Sequence, residues 1–253
     1  MGAGRTVRVA AVEMPVRFGD PRGALARLET ILASPALEGV DLALLPEAAL
    51  TGYVSPAGDF NLAPFAEPLD GPTAASLGAL ARRHGLALAG PVIEQDGDRR
   101  FNSLLLFDAD GETIGHWRKR HPWYPERWAT PGDRGTPVVS IGGIKVTAGI
   151  CFDVHFLSDD AAGALDEADA LLFPSAWVDE DEDGRAAILP ALARRHDLWV
   201  INANWGRSRP AIPGQGGSRI LDRTGRVIEC VPAGQSRELR IVCAEVPVPE
   251  GQP

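Results

Sequence analysis

Three residues of this chain stand where an apolar run breaks off, and their types complement one another. Glu47 follows "LALLP", Lys119 lies in "IGHWRKRHP" behind a hairpin strand, and Cys151 follows "KVTAGI". In α/β folds the carboxyl ends of strands are where chemistry is placed. Singly, each has a plain structural explanation. Glu47 could cap a helix, Lys119 could be one of three solvated bases, and a free cysteine is most often a small buried hydrophobe. Jointly they are the set needed to hydrolyse an amide by a covalent route. A thiolate attacks the carbonyl carbon. A carboxylate takes the thiol proton, passes it to the departing amine, and later deprotonates the water that releases the acyl group. A lysine ammonium stabilises the tetrahedral oxyanion and helps lower the thiol pKa. Histidine, the usual partner of a catalytic cysteine, is replaced in this set by Glu47.

The bulk properties narrow the classes. The chain has 253 residues, 45% apolar and 23% charged, with a net charge of −9. That length is enough for one α/β domain, expected to span residues 1–253. The acidic balance argues against a general nucleic-acid binder, which would show a basic face. No apolar run approaches the roughly 18 residues of a membrane span, and "MGAGRTVRVAAVEM" runs directly into a strand pattern without a signal-peptide core. No membrane association and a cytoplasmic location are the expectations. Cys151, Cys230 and Cys243 are an odd number without metal-type pairing. Cys230 and Cys243 fall in strand-like apolar runs and are expected in the core. "PGQGGSRI" (213–220) has glycines but no following helix or lysine, so it is no phosphate loop.

The elements that must position the three residues read as alternating strands and helices. Strands are expected at 6–14, 41–46, 86–94, 168–177 and 198–204, and helices at 21–33, 72–85 and through "AAILPALARRH". Hairpins are expected at 102–117 around Asp110-Gly111, and again around Gly142-Gly143 and Thr224-Gly225. This implies mixed sheets with helices covering one face of each. "DEDEDG" (179–184) is the one charge run and reads as a loop.

These segments, in this order, resemble the nitrilase superfamily of carbon–nitrogen hydrolases nearly end to end. "LLPEAALTGY" resembles the segment carrying that family's general-base glutamate, which falls on Glu47. "FNSLLLFDADGETIGHWRKRH" resembles its Asn-Ser hairpin and lysine segment, which places the lysine on Lys119. "AGICFDVHF" resembles its nucleophile segment, with the nucleophile on Cys151. "LLFPSAW", "VINANWG" and "GGSRILDRTGRVI" match in order and spacing. The resemblance implies an α/β fold, a four-layer α-β-β-α sandwich with mixed sheets. It also implies thiol chemistry without a metal or cofactor, and homodimers or larger assemblies. It places Cys151 on a sharp turn, with the Phe152 N–H beside Lys119 at the oxyanion and Asp153 bonding backbone N–H groups to hold the turn. A further family glutamate maps to Glu126 in "YPERWATPGD", and Phe152, Tyr53, His121 and Trp177 are expected to touch substrate.

Some positions depart from the family pattern. His155 stands where arginine is common, and Arg195 in "ALARRH" where a glutamate is usual. Neither removes one of the three chemical roles. The implied activity is hydrolysis of a non-peptide C–N bond in a linear amide or N-carbamoyl amine, with a small-molecule amide as partner. A nitrilase, an acyl transferase using the same residues, or a silent binding scaffold are the alternatives. The acidic run Asp179–Asp183 carries a further expectation, that a cationic substrate is drawn to the pocket.

Overall fold

The computed structural model describes residues 4–177, 183–209, 214–231 and 239–250. The chain opens with β1 (Thr6–Glu13) and a two-residue strand, β2 (Val16–Arg17), followed by α1 (Pro21–Leu32) and β3 (Leu42–Leu44). Helix α2 (Pro72–His84) leads into β4 (Ala87–Asp96), β5 (Arg99–Phe107) and β6 (Thr113–Arg118). The second half begins with the hairpin β7 (Val139–Ile141) and β8 (Ile144–Ala148). Two short helices follow, α3 (Leu157–Asp160) and α4 (Ala162–Glu167), then β9 (Ala170–Ser175), α5 (Asp183–His196) and β10 (Trp199–Asn204). The last strands are β11 (Ser208–Arg209), β12 (Arg219–Leu221), β13 (Val227–Cys230) and β14 (Arg240–Pro247).

Two six-stranded sheets result, ordered β14-β1-β3-β4-β5-β6 and β13-β12-β10-β9-β8-β7, while β11 pairs with β2. Within the first sheet β1, β3 and β4 are parallel, and within the second β8, β9 and β10 are parallel. Side-chain alternation along the strands decides the layering. In β1, Val7, Val9 and Ala11 join the core between the sheets, while Ala10 and Val12 pack with Leu28 and Leu77 of α1 and α2. In β9, Ala170 and Leu172 face the first sheet, while Leu171 and Phe173 meet Leu189 and Leu192 of α5. Both faces of each central strand are apolar, so each sheet must be covered twice. The result is the four-layer α-β-β-α sandwich.

The hairpin turns follow their residues. Gly142 and Gly143 have φ of 60° and 94°, the left-handed values that a two-residue turn between Ile141 and Ile144 requires. Other expectations need correction. The strand expected to end at residue 94 runs on to Asp96 and turns back at once into β5, which starts at Arg99. The helices α3 and α4 lie in a stretch read without structure. Cys230 is exposed and Cys243 only half-buried, because β13, with all four residues exposed, and β14 are the edge strands of the two sheets. An apolar run does not by itself mean a core position. No helix among the described residues is long and apolar enough to cross a membrane.

Candidate active site

The ends of four strands gather at one end of the sandwich. Glu47 lies just past β3, Lys119 follows the last residue of β6, Cys151 comes three residues after β8, and Ala176 follows β9. Cys151 opens a single 3₁₀ turn, Cys151–His155, with φ of 46°. A non-glycine residue there is unusual, and such strain, on the order of 1–3 kcal/mol, persists only where the surroundings enforce it. Asp153 does the enforcing. Its Oδ2 accepts the Ile150 N–H at 3.0 Å and its Oδ1 the His121 N–H at 2.8 Å, tying the cysteine turn to the segment after Lys119.

Lys119 is fully buried. Its Nζ donates to Glu47 Oε1 at 2.7 Å and to Glu126 Oε2 at 2.6 Å. Asn102 braces both acids, donating from Nδ2 to Glu47 Oε1 at 2.7 Å and to Glu126 Oε1 at 2.9 Å, while its backbone carbonyl accepts the Lys119 backbone N–H. The second oxygen of Glu47 accepts the Ala176 N–H at 2.9 Å, and Glu126 Oε2 also accepts the Trp123 N–H. The Ala176–Trp177 segment is held in turn by Asn204, whose Oδ1 accepts the Trp177 N–H at 3.0 Å and the Ser175 hydroxyl at 3.0 Å.

The electrostatics follow from this crowding. Burial alone would strip the charge from Lys119, but the carboxylates of Glu47 and Glu126 hold its pKa well above the usual lysine range. Burial pushes the Glu126 carboxyl up, and neighbouring Glu47 adds to that although Lys119 opposes it. The Cys151 thiol is also pushed up, first by burial and then by Glu47, against the pull of Lys119 and the Ala176 N–H. The resting site therefore keeps the proton on sulfur, beside an acceptor. Asp153 is raised to about 6 by burial, partly offset by its two backbone donors.

Cys151 opens onto a cavity of about 280 Å³ lined by Tyr53, Trp123, Phe152, His155 and Trp177, together with Ala176. Of the residues expected against substrate, Tyr53, Phe152 and Trp177 therefore lie on this wall. His121 does not. Its ring stacks on Phe156 at 4.0 Å, and its Nε2 meets Asp160 Oδ2 at 2.5 Å. Glu47, Lys119 and Glu126 sit behind the wall, each no more than 2% exposed. The acidic run 179–182 lies outside the described residues, as does the side chain of Asp183. Among the described residues no group of three or more His, Cys, Asp or Glu side chains is placed to hold a metal ion.

Sequence reasoning passed over Asn102 and Asn204 as site residues. The available signal was a polar pair, Asn102-Ser103, opening the apolar run "LLLF": a buried strand cannot carry an amide there without partners. His155, noted only as a departure, lies on the cavity wall.

The fold is thus an α-β-β-α sandwich that gathers a thiol, a lysine and two glutamates at its strand ends. The carbon-nitrogen hydrolase model matches residues 8–252, and the chain belongs to that family. It is 30% identical over 224 residues to an (R)-stereoselective amidase of Pseudomonas sp., covering 88% of this chain and 80% of that protein. It is 29% identical over 185 residues to an N-carbamoylputrescine amidase of Solanum lycopersicum, covering 71% of this chain and 61% of the relative. A solved amidase variant from Nesterenkonia sp. AN1 superposes with a TM-score of 0.81 at 23% identity, covering 98% of this chain and 94% of its own. That structure shows covalent addition of the acetamide moiety of fluoroacetamide at the active-site cysteine.

Proposed function

We propose that this carbon–nitrogen hydrolase cleaves the C–N bond of a linear amide or N-carbamoyl amine through a thioester on Cys151. The observation that carries the reading is the convergence of Cys151, Glu47 and Lys119 behind one cavity, with the thiol on a strained turn at its wall. Substrate enters with its carbonyl carbon against sulfur. The thiol proton passes to Glu47, sulfur bonds to the carbon, and the oxyanion forms near Lys119 and the Phe152 N–H. Glu47 then returns the proton to the leaving nitrogen as the C–N bond breaks. A water deprotonated by the same carboxylate attacks the thioester, and the thiol is regenerated. Glu126 and Asn102 hold Lys119 and Glu47 in register, which limits how far either charge can move during the cycle.

The covalent addition at the cysteine of the Nesterenkonia amidase supports this reading. Ammonia release from simple amides tests it, with intact-mass measurement after quenching. Wild-type protein should release ammonia and carry an acyl adduct on Cys151. Cys151→Ala should fold and lose both, with turnover down by several orders of magnitude. Retention of a tenth of wild-type kcat in that variant would end the covalent reading. We also propose at least a homodimer in solution, so light scattering should give a mass well above the 26.9 kDa of one chain.

A further inference from the structure

We propose that the cavity above Cys151 selects amides whose acyl group is uncharged and ring-bearing, and rejects acyl groups that carry a carboxylate or an ammonium. The inference rests on the amide-hydrolase reading above and names the substrate class of the same site. Among the described residues the wall consists of Tyr53, Trp123, Phe152, His155, Trp177 and Ala176, with no Asp, Glu, Lys or Arg. At about 280 Å³ the space lies just below the roughly 300–1,000 Å³ of small-molecule sites.

An anionic group would enter without a partner. Among the described residues the nearby cations are already engaged, Arg185 beside Trp177 by the Gly216 carbonyl. Lys119 is enclosed by Glu47 and Glu126. Arg118 is held by Glu94, Asp96 and Asp133. Arg120 donates to the Asp160 carbonyl, and His121 pairs with the Asp160 carboxylate. A carboxylate desolvated against aromatic rings with no cation is strongly disfavoured.

An aromatic wall could instead attract a cation through ring faces. Two of the four large rings are already used in that way by the protein itself. Lys119 Nζ lies 5.9 Å from the Tyr53 ring centroid, and Arg185 Cζ lies 5.9 Å from that of Trp177. A cationic acyl group would have to share those two rings with contacts the protein already makes, and gains correspondingly less from them. What remains is apolar surface of fixed geometry. Tyr53 and Trp123 stack at 6.5 Å, and Phe60 contacts both edge-on at 5.4 and 5.2 Å. A preformed wall of this kind suits a flat, neutral group that adds one more edge or face.

The test is a panel of primary amides of similar size: 3-phenylpropanamide, hexanamide, succinamate and 4-aminobutanamide, with propanamide as a small reference. We expect kcat/KM for 3-phenylpropanamide to exceed that of either charged amide by tenfold or more, with hexanamide between. His155→Arg places a cation on the cavity wall. It should raise the succinamate to 3-phenylpropanamide ratio by tenfold or more, in protein whose circular dichroism is unchanged. Propanamide turnover with a charged amide hydrolysed as fast as the aromatic one would overturn the selectivity and leave the hydrolase reading standing. So would an unmoved ratio in folded His155→Arg. Failure to hydrolyse any member would overturn both.

Discussion

Residues 118 and 119 set two buried cations side by side in the chain, each met by its own group of acids. Arg118 donates to both oxygens of Glu94, to Asp96 and Asp133 at 2.8 Å, and lies 3.7 Å over the Phe101 ring. Ser103 and His116 complete the shell of Glu94. Burial works against that carboxylate, yet hydrogen bonds from His116, Arg118 and Ser103 hold it down at about 2. Around Lys119 the balance runs the other way. Two glutamates share one ammonium, and both Glu126 and the Cys151 thiol are held above their ordinary ranges. One group has settled its protons and fixes a strand end. The other keeps protons on Glu126 and on the Cys151 thiol, the arrangement on which the proposed reaction depends.

The contrast breaks most sharply in kinetics. Lys119→Met and Glu47→Gln should each give folded protein with kcat lower by about 10²–10⁴, the range expected for losing a charge stabiliser or a general base. A Lys119→Met variant altered only in KM would make the lysine a substrate anchor. Arg118→Met should do the opposite. It strands Glu94 without its guanidinium, which costs roughly 3–5 kcal/mol for a broken buried pair. Chemical denaturation should show that loss, while kcat of the folded protein stays within about tenfold of wild type. Equal damage to kcat from Arg118→Met and Lys119→Met would erase the distinction.

A smaller effect sharpens the same point through pH. The folded pKa of Glu94, about 2, lies below its unfolded value near 4.5, so its stabilisation is complete above pH 4.5 and is lost as pH falls toward 2. At about 1.4 kcal/mol per pH unit the full contribution is roughly 3 kcal/mol. The stability difference between wild type and Glu94→Gln should therefore shrink steadily as pH drops below 4.5. A difference constant from pH 6 to 3 would show that the carboxylate is not held down.

How much of this could be read in the sequence depended on where each residue sits. Glu47, Lys119 and Cys151 were visible because each ends an apolar run, and strand ends are where side chains leave the core. Arg118 drew notice only as a neighbour of Lys119 in the basic run, although it is 4% exposed. Nothing local distinguishes it from Arg120, because its partners Glu94 and Asp133 arrive from β4 and a distant loop. For Asn102 the polar pair at the strand start was visible but its partners were not, because its two acceptors lie 55 and 24 residues away. Helices α3 and α4, of four and six residues, are too short to show a period. Mixed sheets covered by helices were legible, since strand and helix periodicities survive in single segments; the four-layer order was implied by the family resemblance, and long-range polar pairing shows in no single segment.

Asp153 falls between the two regions. It is buried like Glu94, but among the described residues it has no arginine, and its acceptors are filled by the Ile150 and His121 N–H groups. Burial therefore wins, and its pKa rises to about 6 from an ordinary 3.8, with Lys119 and His121 pulling weakly downward. For stability the sign is the reverse of that at Glu94: between about pH 4 and 6 the folded state binds the extra proton, so this residue favours folding less as pH rises through that window. For activity the ionised form matters, because only it accepts both N–H groups. A proton on either oxygen places a donor against a backbone donor and loosens the link between the cysteine turn and the Lys119 segment. We expect kcat to fall below about pH 6 with a one-proton slope. Asp153→Asn should lose that acid limb and show a plateau reduced by about tenfold, the scale of one lost buried acceptor. His155, whose pKa burial lowers below its ordinary value, is the competing titrant on the cavity wall. His155→Gln should leave the limb in place. A limb that vanishes in His155→Gln and persists in Asp153→Asn would move the pH control from the turn to the cavity.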